Sequence, residues 1–138
     1  MIEVKALALV IRGTDGAVLV SEGENSSGGR YARPLGGSVE FGESAAEAVQ
    51  REMTEELGCR LLDPLLLTVV ENRFVLDEAP GHEIVFVFGG RLADESLYQQ
   101  DEIPVLDVPG LLALWWRPET RSSRLVPDPL RAWVPRAG

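Results

Sequence analysis

GGSVEFGESAAEAVQREMTEELGC, residues 36–59, sets six glutamates and one arginine within twenty-four residues. Its second half carries helix punctuation at both ends. Ser44 with Glu47 three residues on makes a capping box, and Gly58 stands where a helix takes its left-handed stop. Between them, residues 44–57 predict an amphipathic helix. Projected at the helical period, Ala45, Ala46, Val49, Met53 and Leu57 fall within a sector of about 120°, a face suited to packing on a sheet. Glu47, Gln50, Arg51 and Thr54 take the opposite side. Glu56 projects inside the apolar sector, Glu52 on its edge and Glu55 just beyond.

That placement works against the helix. Like charges three and four residues apart repel, and a carboxylate at a half-buried seam is costly unless paired. Arg51, the nearby base, can neutralise one of the three. A hard divalent cation suits three convergent carboxylates, and Mg²⁺ takes such oxygens while keeping positions for water and substrate phosphate. Gly36-Gly37 allows close backbone approach and leaves a carbonyl free to turn inward, and a tight loop at Gly42 brings Glu43 toward the same cluster.

The 138 residues suit one domain with its own core, residues 1–138. Hydrophobic content of 45% and charged content of 25% are globular values. With 22 acids against 13 bases the net charge is −9, a field that repels nucleic acid and anionic membranes. Lys5 is the only lysine, so a polyanionic ligand needs local arginines or bound cations. A single cysteine, Cys59, excludes an intramolecular disulfide and suits a reducing compartment. Arg12 ends the first apolar run too early for a signal peptide or a membrane span, and a cytoplasmic location is the expectation.

Along the chain, residues 3–12 and 17–23 predict an opening hairpin around the turn GTDG, and residues 24–34 a Gly/Ser-rich loop. Strands are expected over 65–76 and 83–92 with a turn at 77–82, followed by a polar acidic loop at 93–104. Residues 111–118 read as a strand and 127–134 as a short helix begun by proline. Strands with segregated helices imply an α+β or layered α/β/α domain around a mixed sheet.

Gly37, then Glu43 after five residues, then after seven more Arg51-Glu52-Met53-x-Glu55-Glu56-x-Gly58-Cys59, resembles the Nudix hydrolase box G-x5-E-x7-R-E-U-x-E-E-x-G-U. All seven fixed positions are met, a coincidence on the order of one in a million chains at average residue usage. Met53 and Cys59 are mild departures at the apolar positions. The resemblance implies the family's α/β/α sandwich and the hydrolysis of a nucleoside diphosphate linked to another moiety X. It implies Glu52 and Glu56 as principal ligands of Mg²⁺ (or Mn²⁺), Glu55 as a further one, and the Gly36 carbonyl as another. Arg51 corresponds to the arginine that orients a box glutamate, and Glu43 to the one that braces the loop. The general base is either Glu52 or an acid outside the box, the candidates being Asp94, Glu95, Asp101 and Glu102.

Arg33 is the candidate for gripping a substrate phosphate, since a guanidinium binds phosphate bidentately. Tyr31 is either a base-stacking ring or an ordinary loop aromatic, and His82 reads as structural. Adjacent Trp115 and Trp116 should face opposite ways, one into the core and one to the surface. Cys59 reads as a small core residue. A catalytically silent Nudix-fold module that binds nucleotide is the alternative, but such members typically lose a box glutamate. In relatives of the ADP-ribose branch a proline stands about fifteen residues past the box, where this chain has ENRF (71–74), and the tyrosine of the dinucleoside polyphosphate branch is absent before Tyr98. Nucleoside triphosphates, nucleotide sugars and oxidised nucleotides stay open as substrates, and the family admits a homodimer.

Overall fold

The opening strand shows how the molecule is layered. In a computed structural model, which describes residues 1–135, β1 runs Glu3–Leu9 and alternates its side chains between two separate cores. Ala6 and Ala8 join one buried cluster, Leu7 and Leu9 the other. This is the two-residue period of a strand covered on both faces.

Helix α1, Ala45–Leu57, covers the first cluster with Ala48, Val49 and Met53, each fully buried. Its ends are as the sequence implies. The Ser44 hydroxyl accepts from the Glu47 N–H while the Glu47 carboxylate accepts from the Ser44 N–H, and Gly58 sits in the left-handed region at φ 71°. The second cluster is closed by a 3-10 helix at Asp128–Trp133 through Leu130. One helical layer is thus a three-and-a-half-turn α-helix and the opposite one a short 3-10 segment.

Two mixed sheets lie between. The remaining strands are β2 Val18–Glu24, β3 Arg30–Pro34, β4 Gly36–Ser38, β5 Leu61–Leu76, β6 Ala79–Leu92, β7 Glu102–Pro104, β8 Leu112–Trp116 and β9 Arg124–Leu125. One sheet has the order β4-β1-β6-β5, with β1 parallel to β6. The other has the order β7-β8-β2-β3-β9, with β3 parallel to β9. No described helix is long and apolar enough to cross a membrane.

Several sequence expectations are corrected. β1 and β2 belong to different sheets and meet only at the Ile11–Val18 bridge, so the opening hairpin is a single link rather than a ribbon. The expected 24–34 loop holds strand β3, which pairs with β2 from Arg30 to Pro34. The acidic loop contains a 3-10 helix at Glu95–Gln99 and strand β7. Trp115 and Trp116 do face opposite ways, yet both are buried, because β8 also lies between the two cores. The β5–β6 turn tightens to Asp77 and Glu78, both with positive φ.

Candidate active site

Helical spacing alone grades the exposure of the three box glutamates. Glu56 is 8% exposed, the Glu52 side chain 13% and the Glu55 side chain 45%. This is the order their projected angles give. Burial pushes the Glu56 carboxyl up to about 8, helped by the Glu52 charge, a hydrogen bond with Glu52 and the Asp107 charge. A hydrogen bond from the Gly36 backbone N–H works the other way. Without a cation, Glu56 therefore keeps its proton at neutral pH.

Arg51 serves more than the single carboxylate expected of it. Its Nε and Nη2 donate to the two Glu43 oxygens at 2.8 and 2.9 Å, and Nη2 also donates to the Ser38 carbonyl at 2.9 Å. Nη1 donates to Glu52 Oε1 at 3.0 Å and to Glu55 Oε2 at 3.3 Å. One planar guanidinium thus fixes the β4 end, the loop and two helix carboxylates relative to each other. The Arg51 hydrogen bonds and the Glu40 N–H pull the Glu43 carboxyl down to about 2.

The glycine pair is needed for close approach. A Cβ at Gly37 would lie 2.5 Å from Glu52 Oε1, so the carboxylate rests directly on the strand. Gly36 adopts φ 146°, and a Cβ there would lie 2.1 Å from the Ala6 carbonyl oxygen.

A residue that the sequence reading did not single out completes the cluster. The Leu106 N–H donates to the Glu56 carbonyl at 2.8 Å, docking the 105–111 loop on the end of α1. Asp107 is thereby brought to Glu52 and Glu55, with one oxygen from each of the three within 4.8 Å of one another. The available signal was a lone acid in PVLDVPG, between the β7 and β8 runs and beside a Pro-Gly turn. Carboxylate oxygens alone, together with a protonated neighbour, are a donor set that fits a hard divalent ion.

A cleft of about 290 Å³ opens beside this cluster, lined among others by Glu56, Asp107, Gly36, Gly37, Lys5 and Arg33. Among the described residues, Lys5 and Arg33 are the cations that line it. Arg33 is already engaged, its Nη2 2.9 Å from Oε1 of the buried Glu83. Lys5 Nζ donates to Ser38 Oγ at 2.9 Å. Asp94, Glu95, Asp101 and Glu102 do not line the cleft. Asp94 instead caps the 95–99 3-10 helix through the Ser96 N–H and hydroxyl. Tyr31 lies over Gly23, where a Cβ would meet its ring at 2.3 Å, so its face is occupied by β2. Cys59 is half-buried against the α1 core, and His82 lines a different groove.

Comparison with known proteins bears on this arrangement. The NUDIX domain model matches residues 1–124. Among solved structures, a MutT NUDIX hydrolase from Burkholderia pseudomallei aligns with TM-score 0.65 and 22% identity, covering 91% of this chain and 90% of that one. The ORF135 protein of E. coli aligns with TM-score 0.55 and 21% identity over 97% and 94% of the two chains. A NUDIX hydrolase from Nitrosomonas europaea gives 0.60 and 19% over 86% and 74%. At these identities the structural likeness speaks to the fold.

Proposed function

The chain belongs to the Nudix family and is a Nudix pyrophosphohydrolase, and on that premise we propose how its residues act on a nucleoside diphosphate linked to a moiety X. The products are a nucleotide and phosphorylated X. The whole chain, residues 1–138, acts as one such domain, and its lone Cys59 suits a cytoplasmic location.

Glu52, Glu55, Glu56 and Asp107 would hold Mg²⁺ or Mn²⁺, with the Gly36 carbonyl as a further ligand. When bound, the ion supplies cancellation of diphosphate charge and a water of lowered pKa. Glu52, steadied by Arg51 and seated on Gly37, takes the proton of the attacking water on a carboxylate oxygen. Glu52 lies against Gly37 of the cleft wall and belongs to the carboxylate cluster, whereas the acids of the 93–104 segment join neither cleft nor cluster, which favours Glu52 as the base. Arg51 keeps Glu52 aimed, and Glu43 keeps Arg51 in place. Lys5 and Arg33 bind phosphate oxygens on the cleft wall, where a dianionic substrate entering an acidic site needs cations.

The observation that carries this reading is the convergence of Glu52, Glu55 and Asp107 oxygens within 4.8 Å, next to a buried Glu56. The test is phosphate release from a panel of nucleoside diphosphate derivatives with Mg²⁺ or Mn²⁺, with phosphatase added to reveal new monoesters. Turnover that needs the metal and is lost in Glu56→Gln supports it. Nucleotide binding without turnover across the panel would instead make this a silent nucleotide-binding module.

A further inference from the structure

Among the described residues, strand β5 is the outermost strand of its sheet and pairs only with β6. From Thr68 to Leu76 that pairing runs without a bulge, leaving a free edge of roughly 30 Å. Among the described residues, no backbone group of this stretch bonds to any other segment. Such an edge is a template for another strand, and chains usually blunt it with lysine, proline or a bulge. TVVENRFVL, residues 68–76, contains neither lysine nor proline.

Its two faces are well defined. Val70 is buried in the second core, and Asn72 Nδ2 donates to Glu83 at 3.2 Å, so 70 and 72 point inward. Val69, Glu71, Arg73 and Val75 share the outer face, with Val69 48% and Val75 73% exposed. Glu71 and Arg73 are the only charges in the stretch, opposite in sign and two residues apart.

That pattern is self-complementary. Antiparallel to a copy of itself with Asn72 on the two-fold axis, the strand sets Glu71 opposite Arg73 of the second copy, and Arg73 opposite its Glu71. The same register sets Val69 opposite Val75. Moving the axis by one residue puts glutamate on glutamate or arginine on arginine. We propose that the chain forms a two-fold dimer through β5, joining two four-stranded sheets into one of eight strands. A two-fold pairing consumes both edges and closes the assembly. An extended peptide from another protein could add to the same edge, but only a second copy uses the alternation of charge about Asn72.

The test is sedimentation velocity over a wide concentration range on four proteins. Wild type should show a monomer–dimer equilibrium. Glu71→Arg and Arg73→Glu should each weaken dimerisation about ten-fold or more, because each sets like charges opposite twice per dimer. The double variant Glu71→Arg/Arg73→Glu should recover the wild-type dimer, and mixing the two single variants should give heterodimers. Both side chains are exposed, so circular dichroism should be unchanged in every variant. A wild type monomeric at all concentrations would overturn the proposal, as would single reversals without effect or a double variant that fails to recover. A monomer that binds extended peptides along β5 would overturn it in favour of a foreign strand.

Discussion

Arg51 grips Glu43 with both of its edge nitrogens, at 2.8 and 2.9 Å, across a separation of eight residues. The grip locks the loop before α1 to the helix's own second turn, and it leaves Nη1 to hold Glu52. A lysine has one charged nitrogen and cannot keep both contacts. Arg51→Lys should therefore lower kcat by about 10²-fold, the scale for a catalytic group misplaced by about 1 Å. The melting temperature should move little, since the guanidinium is partly solvated. Steady-state kinetics beside thermal unfolding checks this; equal losses in both would mean the arginine is chiefly structural.

The two glycines should answer to different assays. Gly37→Ala drives a methyl into the Glu52 carboxylate, the free end of a flexible side chain that can swing away. Activity should fall about 10²-fold with the fold kept. Gly36→Ala meets backbone at Ala6 and Leu7 from a positive φ, so the protein itself should be destabilised. Urea unfolding of the two variants side by side separates these effects.

Glu56 gives the metal-free protein a pH dependence. Its carboxyl has an ordinary value of 4.5 and is pushed up to about 8 in the fold, chiefly by burial and then by Glu52. Between these values the folded state holds a proton that the unfolded chain releases, so stability should fall as pH rises from about 4.5 to about 8. Glu56→Gln should flatten that slope and leave the apo protein at least as stable at pH 8, while abolishing turnover. Denaturant titrations in chelator at several pH values measure it; clear destabilisation of apo Glu56→Gln at pH 8 would point to a structural role for the carboxylate.

Asp107→Asn should weaken metal binding by roughly ten-fold or more, because it removes one anionic oxygen from a set held by charge. Asp94→Asn, Asp101→Asn and Glu102→Gln should leave turnover near the wild-type level, as none lines the cleft or joins the carboxylate cluster. Initial rates against Mg²⁺ concentration distinguish the two groups. A loss with Asp101→Asn or Glu102→Gln as large as that with Asp107→Asn would return the base to the acidic segment.

What could be read from the sequence was local. The helix is marked by Ser44, Glu47, Gly58 and an apolar face, and the helical period alone places Glu56 inside that face. Asp107 was hidden because a backbone bond between Leu106 and Glu56, fifty residues apart, brings it in. Strand β3 was hidden for a related reason. RYARP carries two arginines and a proline, and it becomes a strand because β2 and β9 pair with it. Likewise the double burial of Trp115 and Trp116 depends on a core on each side of β8, which no window of the sequence displays. Arg33 was visible as a cation near the site, but its engagement with Glu83 arises from pairing across fifty residues.

If the carboxylates of Glu52, Glu55, Glu56 and Asp107 are gathered to hold a divalent ion, the metal-free protein should take one up. Calorimetric titration of Mn²⁺ into that protein, beside Glu52→Gln and Asp107→Asn, measures this. Saturable binding in the wild type, weakened in both variants, is the expected result. Absence of binding in the wild type, or binding untouched by either substitution, would contradict it.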